Sequence, residues 1–532
     1  MKRFRIMLVG VCLLCVSAAA FGQDWPMFGQ NAKNTAGNVA ETGISAGNVG
    51  QLRVKWEFTP MGDVSARAAV VNGVVYFPDW GGYLWALNAS NGAVIWSAQL
   101  SSYTGVANTQ SRTTPAVWNG TLYVGTQEGA WLLAINAATG ALRWKTQLES
   151  PATDPFAVVT TSPTVVDGTV YTGVASFEEG AAGFIPNFPC CKARGSAVAI
   201  NATTGRIKWK TYTVPAGYSG GGIWGSNPAV DADSNTIYFS TGNNYSRPKP
   251  EAESSIPGTT YGACIAAGGT PATCNSPKNN VDAIIALDMG NGKLKWARSL
   301  VTWNQFGVID GSDDWNVACI IPSFLTPGPN CPTNPGPDYD FGSAPNLITY
   351  RTSRGPKTII GAGQKSGIYF ALDPKTGATL WQTQVGPGST LGGMEWGSAT
   401  DGQRIYVQVT NFFGIPWGGG SAGLWAALDP ATGAILWRTG DPNGSFALGP
   451  MSVANGVVYA PSMAGDPGAQ TMLALSASTG GVLWSHAAGA SVNDGATVVN
   501  GTVFWGSGYT HLGIPGFTGG PGTAKFYAFS IN

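Results

Sequence analysis

Hydrophobic residues come in short runs along this chain. A typical stretch reads GlyThrLeuTyrValGly (120–125), TrpLeuLeuAlaIleAsn (131–136) and AlaLeuArgTrp (141–144), with Asn-Gly, Asp-Gly or Thr-Gly pairs separating such runs. Runs this short, rich in Val, Ile, Leu, Tyr and Trp and bounded by turn residues, predict strands joined by tight turns. No long stretch after residue 22 carries the 3.6-residue period of an amphipathic helix.

The runs sit in a repeat. Ala-x-(Asp/Asn/Ser)-x-x-x-Gly-x-x-x-Trp occurs seven times, from Ala86 to Trp96, Ala134 to Trp144, Ala199 to Trp209, Ala286 to Trp296, Ala371 to Trp381, Ala427 to Trp437 and Ala474 to Trp484. The motif Gly needs a positive φ, so it makes the turn. Three or four antiparallel strands in roughly 50 residues predict a propeller blade, not a helical repeat. An eighth copy opens at Ala528 and has no Trp ten residues on, while LeuArgValLysTrp (52–56) is a Trp-ended strand with no Ala-x-Asp before it. Pairing the two gives an all-β, eight-bladed propeller closed by its terminal strands, which leaves no sheet edge exposed. The eight repeat Trp residues, 56 among them, are expected to pack between blades and not to touch a ligand.

Composition agrees with a large β protein. Among 532 residues there are 75 Gly and 34 Pro, as turn-dense sheets require, and 44% are hydrophobic. Only 11% are charged and the net charge is zero, so no electrostatic footprint for nucleic acid exists. Lys2, Arg3 and Arg5 precede an apolar run from Ile6 to Ala20 and small residues before Asp24. This reads as a secretory signal over 1–22, followed by one propeller over 23–532, exported to a bacterial periplasm. No other segment has the length and apolarity to span a membrane.

Six cysteines follow the signal: Cys190, Cys191, Cys264, Cys274, Cys319 and Cys331. An even number in an exported chain predicts disulfides, Cys264–Cys274 and Cys319–Cys331 closing short loops and Cys190–Cys191 joining neighbours. Zinc and a His-based triad are poorly served by two histidines, and Cys-x-x-Cys-His, the haem-attachment motif, is absent. All six lie where the repeat is stretched, between Ala134 and Ala371. Long connections in a compact fold are usually functional, so the working face is expected there. Glu178, Glu179, Asn243, Asn244, Asp310, Asp313 and Asp314 concentrate in the same region. Such oxygens are ordinary solvated turn residues or, converging on one funnel, hard ligands for Ca²⁺.

These residues carry a family resemblance. The repeats, AspTrpProMetPheGlyGlnAsnAlaLysAsnThr (24–35) and AsnValGlyGlnLeuArgValLysTrp (48–56) resemble quinoprotein dehydrogenases, which bind pyrroloquinoline quinone in an eight-bladed propeller. SerPheGluGlu (176–179), ProCysCysLysAlaArgGly (189–195), ThrGlyAsnAsnTyrSer (241–246) and ProAspTyrAspPheGly (337–342) are similar to the polyvinyl alcohol dehydrogenase branch. The resemblance implies Glu178, with Glu179 competing, and Asn243 as Ca²⁺ ligands. It implies Asp313, with Asp314 competing, as metal-bound catalytic base. It gives Trp224 as the floor under the quinone and Lys365 as its hydrogen-bond partner. Cys190–Cys191 matches a disulfide stacked on the quinone's other face, although here the pair follows Glu178 in sequence. Arg112 pairs with a quinone carboxylate. Trp315 stands two residues after Asp313, where lanthanide-using relatives carry an Asp, which favours calcium.

The implied chemistry is oxidation of a primary or secondary alcohol. Ca²⁺ polarises the quinone carbonyl that takes hydride, and Asp313 takes the hydroxyl proton. Electrons then leave to a separate acceptor such as a cytochrome c. The rival expectation is a non-catalytic propeller that scaffolds other envelope proteins and binds no quinone.

Overall fold

A computed structural model describes residues 24–225, 227–300, 313–323, 325–511 and 513–531. The expected signal over 1–22 and Asp310 lie outside the described residues. Eight sheets, each built on four antiparallel strands, make the ring, and two of them carry a short fifth strand, Gly37–Asn38 in one and Ala157–Val158 in the other. The first blade contains Ala69–Val71, Val74–Pro78, Tyr83–Asn88 and Val94–Gln99. The last joins Thr497–Val499, Thr502–Gly506 and Phe526–Ser530 to the early strand Arg53–Phe58. Trp56 pairs with Ala528, the same cross-strand pairing that Ala86 makes with Trp96. The expected closure is therefore present, in register.

The motif explains itself in three dimensions. Each motif Ala faces a Trp because only a small side chain leaves room for the indole beside it. The indole then reaches the next blade. Trp56 Nε1 donates to the Ala89 carbonyl at 3.1 Å, Trp96 to Ala137 at 2.9 Å and Trp209 to Met289 at 2.9 Å. Trp484 closes the circle on Leu52. The motif Gly of that next blade lies on the ring. A Cβ on Gly92, Gly140 or Gly292 would come under 3.0 Å from the Trp of the blade before, and each of these glycines has φ of 71 to 73°. Sterics and backbone conformation demand glycine together.

Near the other end of the chain, residues 25–36 lace the innermost strands. Carbonyls of Pro26, Ala32, Lys33, Thr35 and Ala36 accept from Val117, Val230, Leu347, Thr400 and Val453, one in each of five blades, and Trp25 pairs with Val70 of a sixth. This segment stitches the ring around its axis.

Strand direction fixes where the site can be. Within a blade, the start of the first strand, the end of the second and the end of the fourth all open on one face. The inserted segments 177–195 and 241–282 leave from those ends and 313–345 leads into the start of the first strand of the fifth blade, so they share that face. They hold the short helices Glu178–Phe184, Tyr261–Ala266 and Pro271–Cys274. The three expected disulfides are formed, Cys190–Cys191, Cys264–Cys274 and Cys319–Cys331. Among the described residues no helix is long and apolar enough to cross a membrane.

Candidate active site

The inserted face encloses a cavity of about 330 Å³ whose floor is charged and whose walls are apolar. Trp224, on the approach to the fourth blade, lines it. Its Nε1 donates to Asp340 Oδ2 at 2.7 Å. Trp396 meets it edge-on, with ring centroids 5.5 Å apart. Lys365 Nζ sits 5.4 Å from the Trp224 ring and Arg112 5.9 Å. The indole therefore has two cations beside it, the surroundings an anionic planar ligand needs.

Lys365 follows the strand Gly355–Gly363 and is buried. It donates to both oxygens of Asp338, at 3.1 and 3.0 Å, and lies 3.6 Å from Asp340. Burial alone would lower its pKa, but Asp338 and Asp340 outweigh that and raise it well above the ordinary lysine value. Asp338 is pushed up by burial, against the pull of Lys365. Asp340 Oδ1 accepts from the Asn243 backbone N–H at 2.6 Å. One carboxylate thus ties the aromatic floor, the lysine and the Asn243 strand end together.

Asn243 is fully buried. Its Nδ2 donates to the Trp315 carbonyl at 2.9 Å, and its Oδ1 has no hydrogen-bond partner. Leaving such an oxygen bare costs about 1–3 kcal/mol, which a cation would relieve. Arg112 Nε and Trp396 Nε1, both on cavity-lining residues, are also buried without partners. Asn243 is itself absent from the cavity lining but is tied through its backbone to Asp340 there, so an open acceptor behind the wall and open donors in it fit a hard cation together with a ligand rich in oxygen. Among the described residues no three His, Cys, Asp or Glu side chains form a ready-made metal cage. The donors here would be an amide oxygen and carboxylates, two of them now held by Lys365, so bound ligand would have to complete the shell.

Glu178 and Glu179 open the helix Glu178–Phe184, where carboxylates oppose the helix dipole favourably. They diverge. Glu178 turns back, and its Oε2 accepts the backbone N–H of Lys192 and of Ala193 at 2.7 and 2.6 Å. Glu179 lines the cavity, where burial first and Asp340 next push its carboxyl up to about 8. Of the two, the competing residue of the sequence reading is the one at the cavity.

Asp313 is similarly displaced from the expected place. Its carboxylate accepts the backbone N–H of Asp338 at 2.9 Å and of Tyr339 at 2.8 Å, and it is absent from the cavity lining. Burial raises it to about 7, partly offset by those two bonds. Asp314 pairs with Arg247 at 2.8 Å. Asp338 and Asp340 of ProAspTyrAspPheGly (337–342), a segment the sequence reading used only to recognise the branch, join Glu179 and Glu395 as the carboxylates that line the cavity. No strand alternation marks Asp338 and Asp340, because Asp338 has a left-handed backbone with φ of 59° and the segment is irregular.

Cys190–Cys191 packs with Ala182, Ala193 and Tyr245. Tyr245 lines the cavity and the cysteines do not. The rest of the rim comes from elements the repeat spacing did not mark: Glu395 and Trp396, Phe412, Tyr509 and Phe517, from the sixth and eighth blades.

Comparison with known proteins bears on this geometry. The repeat family PQQ_2, described as outer membrane protein assembly factor BamB, matches residues 106–306 and 364–512. A polyvinylalcohol dehydrogenase of Pseudomonas sp. is 30% identical over 520 residues, covering 88% of this chain and 70% of its own. One from Sphingopyxis sp. strain 113P3 is 29% identical over 518 residues with the same coverage. The quinohemoprotein alcohol dehydrogenase of Pseudomonas putida HK5 superposes with a TM-score of 0.69 at 18% identity, covering 96% of this chain and 80% of that one, a likeness of fold. The repeat match over most of the chain and the sequence match over its length agree: this chain belongs to the pyrroloquinoline quinone-dependent alcohol dehydrogenase family, on its polyvinyl alcohol dehydrogenase branch.

Proposed function

We propose that this chain is a periplasmic quinoprotein that oxidises a secondary alcohol, poly(vinyl alcohol) among the candidates, with Ca²⁺ as its cation. The observation carrying this reading is the convergence of Trp224, Lys365, Asp338, Asp340 and Glu179 on one cavity, beside the unpartnered Oδ1 of Asn243. When bound, pyrroloquinoline quinone supplies the hydride acceptor, and the protein supplies position, charge and proton transfer.

In this reading Trp224 supports the ring plane. Lys365 and Arg112 offset its negative charge. Glu179 and Asn243, with Asp338 or Asp340, hold the cation. Asp338 is the carboxylate placed to take the hydroxyl proton once Lys365 turns part of its charge toward the quinone. Asp313 acts through it, gripping the backbone at Asp338 and Tyr339. The apolar walls exclude water, which strengthens each of these interactions. Electrons pass to a separate acceptor such as a cytochrome c. A signal over 1–22 ahead of the propeller 23–532 supports export.

The test is reconstitution with the quinone and Ca²⁺, followed by dye-linked alcohol oxidation. Turnover that needs both and that Asp338→Asn reduces at least about 100-fold supports the reading. No turnover with any primary or secondary alcohol rejects it. The description of the matching repeat family favours one second reading, a scaffold of the envelope. A scaffold has no use for a buried Lys–Asp–Asp floor, and it predicts no quinone binding at all.

A further inference from the structure

Two aromatic lips flank the cavity; the first is rooted in the cluster of Leu448, Met463 and Tyr509 against which Phe446 and Phe517 pack, and both end in exposed rings. On one side Phe413 is 53% exposed and meets Phe412 edge-on at 5.5 Å. Phe412 stacks on Phe446 at 5.1 Å, and Phe446 meets Phe517 at 5.7 Å. Phe517 lies 6.4 Å from Tyr509, which is 1% exposed at the cavity wall. The rings form a continuous strip from solvent to the charged floor. On the other side Phe177 and Phe184 line the mouth while remaining 47% and 68% exposed. The first strip stands on loops after the second strands of the sixth and eighth blades and between the sixth and seventh. The second lip brackets the helix that presents Glu179.

Phe177, Phe184 and Phe413 face solvent, and with the strip they make an apolar patch continuous with a cavity. A volume of about 330 Å³ is at the small end for a ligand pocket, and the quinone would fill much of it. A short alcohol would then sit on the charged floor and gain little from the exposed outer rings. A long chain would have to lie across the mouth. Its reacting carbon must reach carboxylates, so it carries hydroxyls. Its flanks must rest on phenyl rings with few hydrogen-bond partners, so its backbone is hydrocarbon.

We propose that the Phe413–Phe412–Phe446–Phe517 strip and the Phe177/Phe184 lip form a track for a hydroxylated carbon chain several repeat units long, which threads over the cavity and presents one hydroxyl at a time to the floor. This rests on the reading of the floor as the site of alcohol oxidation. The relevant polymer is one of secondary hydroxyls on a hydrocarbon backbone, and poly(vinyl alcohol) is the probe.

Two measurements on the quinone- and calcium-loaded protein test it. In the first, native gels with and without dissolved poly(vinyl alcohol) compare the wild type with Phe184→Ser/Phe413→Ser and with each single variant. Both positions are exposed, so folding is not at stake, and unchanged mobility in plain gels checks that. Retardation of the wild type, lost in the double variant, supports the track. An unretarded wild type overturns it, as does a wild type that self-associates through this face where the variant does not. In the second, kcat/KM is compared for the polymer and for pentane-2,4-diol. The double variant is expected to lose about tenfold or more on the polymer and less than about twofold on the diol. Equal loss on both, or loss on neither, overturns the track. If no alcohol is oxidised at all, the reading of the floor fails, and the gels still decide whether the track holds the polymer.

Discussion

Trp224 Nε1 donates to Asp340 Oδ2 at 2.7 Å, so the indole and the carboxylates of the cavity floor are one hydrogen-bonded unit. Asp340 extends the unit to Asn243 and to Lys365. Moving any member shifts the others, which makes the site sensitive to changes that touch no ligand.

Gly342 is such a place. A Cβ there would come within 2.6 Å of the Trp224 ring and 3.1 Å of Glu395. Gly342→Ala is expected to tilt the indole and weaken quinone affinity about tenfold, or roughly 1.4 kcal/mol. Quenching of tryptophan fluorescence during quinone titration reads it, with thermal stability as the control for folding.

The two adjacent glutamates should separate cleanly. Glu179→Gln is expected to lower cation affinity at least about 10–100-fold while leaving stability nearly unchanged. Glu178→Ala leaves the buried N–H of Ala193 and the partly buried N–H of Lys192 without their acceptor, at about 1–3 kcal/mol. It should lower the melting temperature first. Calcium titration by calorimetry and thermal melts of the two variants check both halves.

The repeat tryptophans are structural, and their loss should register as such. Trp209 is 8% exposed, its indole bonds Met289 across the blade junction, and Gly292 lies on its face. Trp209→Ala is expected to cost about 3–5 kcal/mol. Denaturant unfolding measures it, and a loss under about 1 kcal/mol would contradict the staple.

Acidity should couple to cation binding. Burial raises Asp313 from its ordinary value of 3.8 to about 7 and Glu179 from 4.5 to about 8. Folding therefore favours their neutral forms. The stability they contribute is full below those ordinary values and is lost as pH climbs to about 8. The cation-free protein is expected to melt lower at pH 8.5 than at pH 5.5, and calcium should remove most of that difference by favouring the ionised forms. Melts across this range with and without calcium test it, and a cation-free protein more stable at pH 8.5 would contradict the assignment.

The ring was legible in the sequence because the Ala–Gly–Trp spacing records contacts between neighbouring blades, and Trp56 with Ala528 shows that this reach extends to the closing blade. The three long connections could likewise be assigned to one face, since antiparallel strands send them all to one side. Individual side chains were harder to read. Glu178 and Glu179 are adjacent, and only the turn of a seven-residue helix sends one to the backbone of Lys192 and the other to the cavity. Asp313 and Asp338 are both buried acids, and only tertiary folding sets the first on the backbone of the second. The aromatic lip from Phe412 to Phe517 gave no signal, because blades of ordinary length supply it and phenylalanine in a strand-rich chain reads as core.

The central claim is that one indole floors a quinone held beside a cation. Equilibrium titration of pyrroloquinoline quinone into the protein with calcium present, read by quinone absorbance and tryptophan quenching, tests it most directly. Saturation at one quinone per chain is expected, abolished by Trp224→Ala and weakened when calcium is chelated. Wild-type protein that shows no saturable change, or Trp224→Ala that binds as tightly as wild type, would contradict it.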